Sequence, residues 1–130
     1  MIMNKEGLDR LGAIILDSSM HVHRELGPGL LESAYTTALN AELRTREIQV
    51  DQFVPIELTY KGTPLGKVYV LDILVAGEII LEIKSVESID RIFIAQLITY
   101  LKITEKKLGY LINFNSILLK DGFRRIVNKI

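Results

Sequence analysis

The chain has 130 residues, 48% of them hydrophobic, with 16 Lys and Arg against 16 Asp and Glu and no cysteine. This composition suits one domain over residues 1–130 with a sizeable core, and it excludes a disordered chain, a disulfide framework and thiolate metal sites. A formal charge of zero gives no overall attraction to nucleic acid. No apolar run approaches the roughly 18–20 residues of a membrane span, and the start MIMNKEGLDR has no signal-peptide core. A soluble, cytoplasmic protein is therefore expected. The charge is unevenly spread: residues 1–101 carry 9 Lys and Arg against 14 Asp and Glu, and residues 102–130 carry 7 against 2. Either the basic final third meets phosphates while the acidic part holds a metal, or these are ordinary solvated side chains.

Leu8, Leu11, Ile15, Val22 and Leu26 recur at helical spacing and predict a first helix over about 7–26. Gly27-Pro28-Gly29 ends it, since glycine suits a left-handed cap and proline cannot continue the turn. A second helix is predicted from near Leu30 to about Arg46. Residues 53–60 (FVPIELTY) read as a strand, with Pro55 suited to a sheet edge. Lys61-Gly62-Thr63-Pro64 reads as a turn, and 68–75 with 79–84 as a hairpin about Ala76-Gly77-Glu78. A third helix is expected over about Asp90–Ile103 with Asp90 as N-cap. A buried strand over 108–114 and a last strand over 123–127 follow. The order is ααβββαββ, an α/β fold with a mixed sheet flanked by helices.

The hairpin YVLDILVAGEIILEIKS carries the chemistry. With a three-residue loop Val75 faces Ile79, and Asp72 therefore faces Glu82. Directly opposed residues have Cβ atoms roughly 4.5–5.5 Å apart, and like charges there repel. Lys84 lies two residues beyond Glu82 on the same face. Leu71, Ile73, Val75, Ile79, Leu81 and Ile83 form the other face and are expected to be core. Two opposed acids on an otherwise apolar hairpin suit a divalent cation, because Mg²⁺ takes carboxylate oxygens. On the third helix Gln96 and Tyr100 are four residues apart and share a face; on the second, Glu32 and Tyr35 are three apart and do the same. Side chains from three elements can thus converge as in an active site.

Asp72, then Glu82-Ile83-Lys84, then Gln96 with Tyr100, resembles the PD-(D/E)XK nuclease superfamily, and the Gln-x-x-x-Tyr pair resembles its RecB-like exonuclease branch. Gly29-Leu30-Leu31-Glu32-Ser33-Ala34-Tyr35 is similar to the motif of the small GxxExxY proteins of that superfamily. LGPGLLESAY, EIKS, QLITYL and LGYLINF extend the similarity over roughly residues 10–127. The resemblance implies a restriction-endonuclease-like fold and Mg²⁺- or Mn²⁺-dependent cleavage of nucleic acid, DNA ahead of RNA. It implies that Asp72 and Glu82 hold the metal, with the Ile83 carbonyl as a third oxygen and Glu32 as a supplementary acid. Lys84 would orient or activate the attacking water and stabilise phosphate charge, acting more as an electrostatic stabiliser than as a free base. Gln96 and Tyr100 would position Lys84, the water or the nucleic-acid backbone. Two positions depart from the pattern: Leu71 stands where the superfamily's name has proline, and Val70 where many relatives have arginine.

Other readings of the same residues stand beside this one. Asp72, Glu82 and Lys84 can be a partly buried salt-bridge cluster, and Glu32 an acid favoured by a helix's first turn. Tyr35 and Tyr100 can be core aromatics with a bonded hydroxyl, and Gln96 can satisfy a neighbouring backbone group. His21 and His23 point to different helix faces and suit satisfied histidines. For the whole chain, the rivals of a nuclease are a non-catalytic nucleic-acid or partner-binding module and a structural subunit. A homodimer would extend a phosphate-binding surface.

Overall fold

A computed structural model describes residues 3–130. Helix α1 (Lys5–Leu26) begins where the Gly7 N–H donates to the Asn4 side chain, and ends at Gly27. Gly27 and Gly29 take φ values of 71° and 96°, a region open to glycine at little cost, so the chain reverses within Gly27-Pro28-Gly29. Helix α2 (Glu32–Thr45) follows. The Tyr35 hydroxyl donates to the Gly27 carbonyl (2.5 Å) and accepts from the Leu30 N–H (3.0 Å). Its ring stacks on Phe114 with centroids 4.7 Å apart. Tyr35 thus ties the loop between the two helices to the core.

Strands β1 (Val50–Tyr60), β2 (Thr63–Val75), β3 (Ile79–Lys84), β4 (Leu108–Asn113) and β5 (Phe123–Val127) form one sheet in that order, with helix α3 (Arg91–Thr104) between β3 and β4. The element order is the expected ααβββαββ, with a short 3₁₀ turn (Leu119–Gly122) before β5. Only β3 and β4 run parallel; the remaining pairs are antiparallel. Pro55 lies on edge strand β1, as proline requires. The Ile92 N–H donates to the Asp90 side chain, so Asp90 caps α3.

β2 begins at Thr63 rather than near residue 68. Lys61 and Gly62 both have positive φ and close a two-residue hairpin turn, so pairing starts at once with Tyr60 opposite Thr63. The next turn does the same with Ala76 and Gly77, and Glu78 N–H donates to the Val75 carbonyl.

Helices α1 and α2 cover one face of the sheet and α3 the other. Leu8, Leu11, Ile15, Tyr35 and Leu39 pack with Ile73, Leu81, Ile83 and Ile112 in one cluster. Leu97, Tyr100 and Leu101 pack with Ile56, Ile80 and Leu111 in the other. β3 is therefore buried on both sides, and the face that carries the acids is core at Ile80 rather than open to water. Leu71 also departs from expectation: it joins the α3 cluster although Ile73, two residues on, joins the α1–α2 cluster. The alternation of β2 breaks between them, at Asp72. Opposite on β1, Phe53 has a φ of 52°, and the paired register passes over it. Leu26 is also outside the core, exposed at the end of α1.

Tyr35→Phe keeps the ring stacking and removes both loop hydrogen bonds. It should cost about 1–3 kcal/mol of unfolding free energy in urea titrations. An unchanged midpoint would show that the loop does not depend on the hydroxyl.

Candidate active site

The β2–β3 ladder runs Val75–Ile79, Leu74–Ile80, Ile73–Leu81, and ends there. At the next step side chains replace carbonyls. Asp72 N–H donates to Glu82 Oε2 (3.1 Å), and Ile83 N–H donates to Asp72 Oδ2 (2.7 Å). Each carboxylate therefore has one oxygen on the opposite strand's backbone and one left over. The Ile83 N–H points toward β2, so its carbonyl, on the same edge of the strand, faces the same gap. Asp72 and Glu82 do face each other as the hairpin arithmetic requires.

Glu82 is only 5% exposed. Burial pushes its carboxyl up to about 8; the charge of Asp72 adds to this, while the Asp72 N–H and Lys84 act against it. Asp72 is likewise raised by burial, opposed by the Ile83 N–H and by Lys84. Lys84 Nζ lies 4.6 Å from the centroid of the Phe93 ring, a cation–π contact. Among the described residues Lys84 forms no ion pair, so the three charges are not a salt-bridge cluster. Glu32 sits at the first turn of α2, exposed, with its carboxyl raised by burial and by Asp72 and lowered by Lys84. Tyr100, packed under α3, is raised chiefly by burial and then by the charges of Glu82, Tyr69 and Asp72. Gln96 lies one turn before Tyr100, and both line a groove between α3 and the β1–β2 strands.

Thus Asp72, Glu82, Lys84, Glu32 and Tyr100 share one electrostatic environment, with Gln96 at its edge. Tyr35 does not share it: its side chain turns inward as the loop clamp. Among the described residues no three acids or histidines gather closely enough to hold an ion by themselves. Asp72 and Glu82 offer two free carboxylate oxygens beside a carbonyl. That set suits Mg²⁺, which keeps several waters and needs few protein ligands.

A family model described as the PD-(D/E)XK nuclease superfamily matches residues 9–126. The chain belongs to the PD-(D/E)XK nuclease superfamily. Its mixed sheet flanked by helices is the restriction-endonuclease-like fold of that superfamily. No curated protein and no solved structure matches the chain. No helix among the described residues is long and apolar enough to cross a membrane.

Several side chains that support this PD-(D/E)XK centre escaped the sequence reading. Phe93 carries the Lys84 ammonium. Asn113, at the end of β4 opposite Lys84, accepts from the Val86 N–H (3.0 Å) and donates to the Val86 carbonyl (2.9 Å). Asn115 also donates to Val86 O and accepts from the Gly29 N–H, while the Ser85 hydroxyl donates to the Leu30 carbonyl. These bonds join the exit of β3 to the loop that leads into Glu32. Asn-x-Asn directly after an apolar strand was their only trace in the sequence.

Three basic residues of the final third lie away from the site. Lys102, Lys107 and Lys129 line a cavity of about 620 Å³ with Glu105 and Asn128. That cavity lies by Leu108, which pairs with Ile79, whereas the candidate site lies by Lys84 at the other end of β3. Five residues of strand, roughly 16 Å, separate the two ends. Arg125 pairs with Asp9 on α1 (3.0 Å), and His23 Nε2 hydrogen-bonds the Ser116 carbonyl (2.7 Å).

A carboxyl whose folded pKa is raised adds stability that is complete below its unfolded value, here 4.5, and is lost as pH rises through about 8. In EDTA the wild-type chain should therefore lose stability across that window. Glu82→Gln, with nothing to titrate there, should lose less and be the more stable form above the window. Urea unfolding at a series of pH values reads this directly; parallel curves for the two proteins would contradict it.

Proposed function

We propose that the chain is a divalent-metal-dependent nuclease of the GxxExxY group, cleaving phosphodiester bonds of nucleic acid, with DNA ahead of RNA. The observation that carries this reading is the opened end of the β2–β3 ladder. There Asp72 and the buried Glu82 each keep an oxygen that bonds no other described residue, and burial pushes the Glu82 carboxyl up to about 8. The order of DNA and RNA rests on the likeness of Gln96 and Tyr100 to the RecB-like branch, and the GxxExxY assignment on Gly29, Glu32 and Tyr35.

In this reading Asp72, Glu82 and the Ile83 carbonyl hold Mg²⁺ or Mn²⁺, and Glu32 adds an acid from the rim. The metal, when bound, supplies positive charge to the phosphoryl oxygen and lowers the pKa of a water. Lys84, supported on Phe93, stabilises charge that develops on the phosphate and orients the attacking water. Preorganised charge in a dry site is worth far more than in bulk water. Tyr100 and Gln96 hold the neighbouring backbone of the substrate in place.

Asp72→Ala and Lys84→Ala should each abolish Mg²⁺-dependent cleavage of labelled single-stranded, duplex and branched DNA while the circular dichroism spectrum stays native. Unchanged cleavage in either variant would sink the assignment. Salt-sensitive binding without any cutting by the wild-type chain would replace it with the non-catalytic binding module.

Loading of the pair also has a pH signature. Glu82 must lose its proton before it binds a cation, so Mg²⁺ affinity should rise with pH up to about 8. Calorimetry in buffers of different ionisation enthalpy should register proton release on binding in the wild type and none in Glu82→Gln. Binding with no proton released would mean that the metal sits elsewhere.

A further inference from the structure

A groove of about 280 Å³ runs between α3 and the β1–β2 strands, and its lining includes Tyr100, which feels the charges of Glu82 and Asp72. Leu58 and Tyr69 form its sheet side, and Ile92, Gln96, Thr99 and Tyr100 lie on its helix side. We infer that this groove seats an unpaired nucleobase of the substrate strand, next to the phosphate at the carboxylates, with Tyr69 as the stacking surface. The inference rests on the nucleic-acid reading above and adds to it the strandedness of the substrate.

Position is the first argument. Tyr100 lines the groove and feels the charges of Glu82 and Asp72, so the groove adjoins the candidate centre. Charge is the second. None of the described lining residues is charged, and what they offer a ligand is apolar surface with a few polar groups. A flat, largely apolar ring with polar edges fits it. Shape is the third. Tyr69 is 37% exposed and tilted 55° to the buried Tyr100, with centroids 6.4 Å apart, which leaves one ring face open. Ile92, 64% exposed, offers an aliphatic surface on the helix side. Edge recognition is available too. The Gln96 amide can donate and accept, and the Thr99 hydroxyl, which donates to the Ala95 carbonyl (3.0 Å), keeps lone pairs to accept.

A base inside a duplex cannot use such a groove, because both its faces are stacked and its edge is paired. Aromatic stacking is also tolerant of sequence, since every base has a π-face. The groove therefore selects strands that are single or frayed at the cutting position, and it does so without reading sequence.

The test uses the Lys84→Ala chain with Mg²⁺, so that the strand stays intact, and short single-stranded oligodeoxynucleotides carrying 2-aminopurine at successive positions. At one position emission should fall on binding. Tyr69→Phe should keep this quenching. Tyr69→Ala should lose it and bind about tenfold more weakly, in line with the loss of one stacked base. A blunt duplex of the same sequence should bind more weakly and show no quenching. Equal quenching in Tyr69→Ala, no quenching at any position, or a duplex bound as well as the single strand would each overturn the proposal. Its failure is separable from that of the nuclease reading. A wild-type chain that stacks the base and never cuts would lose the nuclease and keep the groove. One that cuts equally well with Tyr69→Ala would lose the groove and keep the nuclease.

Discussion

Two hydrogen bonds between carboxylates and backbone, Asp72 N–H to Glu82 and Ile83 N–H to Asp72, set the form of the centre. A ladder that continued past Ile73–Leu81 would place the two acids as a repelling pair with their strands zipped together. Substituting side-chain oxygens for carbonyls does three things at once. It satisfies N–H groups that would otherwise be buried without partners. It fixes the rotamers of both acids. It also leaves the Ile83 carbonyl and one oxygen of each carboxylate facing a common gap. The break in alternation between Leu71 and Ile73, and the positive φ of Phe53 on the neighbouring strand, belong to the same distortion. An isolated residue held at positive φ costs of order 1–3 kcal/mol and persists only where its surroundings over-determine it. Here the surroundings are the Gln52–Ile73 and Val54–Leu71 pairs that flank Phe53 on the ladder.

Around this gap the protein supplies a rigid frame from otherwise separate elements. Asn113 and Asn115 hold Val86, Ser85 holds Leu30, and Tyr35 holds Gly27 and Leu30. The exit of β3 and the entry of α2 are thereby one unit, so Lys84 and Glu32 keep a fixed relation although 52 positions separate them in sequence. Phe114, stacked on Tyr35, anchors that unit in the α1–α2 cluster. The glutamate of the Gly-x-x-Glu-x-x-Tyr segment faces the centre and its tyrosine faces the core. One residue bears the charge, and the other holds the loop that presents it.

What the sequence revealed and what it hid follow from the range of the interactions involved. Helix spacing, glycine turns and the Val75–Ile79 register are local, and they placed every helix and strand and set Asp72 opposite Glu82. The start of β2 was missed because Thr63-Pro64 reads as turn chemistry, while the φ values of Lys61 and Gly62 close the reversal sooner. Burial of the acid-bearing face at Ile80 depends on α3 packing from above, which no pattern within the hairpin encodes. The same limit hid Phe93: its contact with Lys84 joins a helix and a strand, and its own neighbourhood on α3 reads as ordinary apolar periodicity. The final third's basic charge was legible as a number, but parallel pairing of β3 with β4 sends Lys102, Lys107 and Lys129 to the wrong end of the sheet.

That separation bears on how an acidic centre meets a polyanion. Asp72, Glu82 and Glu32 lie in the field of Lys84, while Lys102, Lys107 and Lys129 lie at the other end of the sheet. A fully ionised centre would repel a phosphodiester, and the burial of Glu82 would strengthen the repulsion. Holding Glu82 near 8 removes one negative charge at neutral pH and lets the metal-free chain fold without opposing anions in its core. On the proposed reading, a divalent cation in place of that proton would balance the charge of the two acids. On that reading a phosphodiester would meet less repulsion at the loaded centre than at the empty one. A neutral groove next door fits the same logic: with charge concentrated at the carboxylates, the adjoining surface is free to recognise what is not charged.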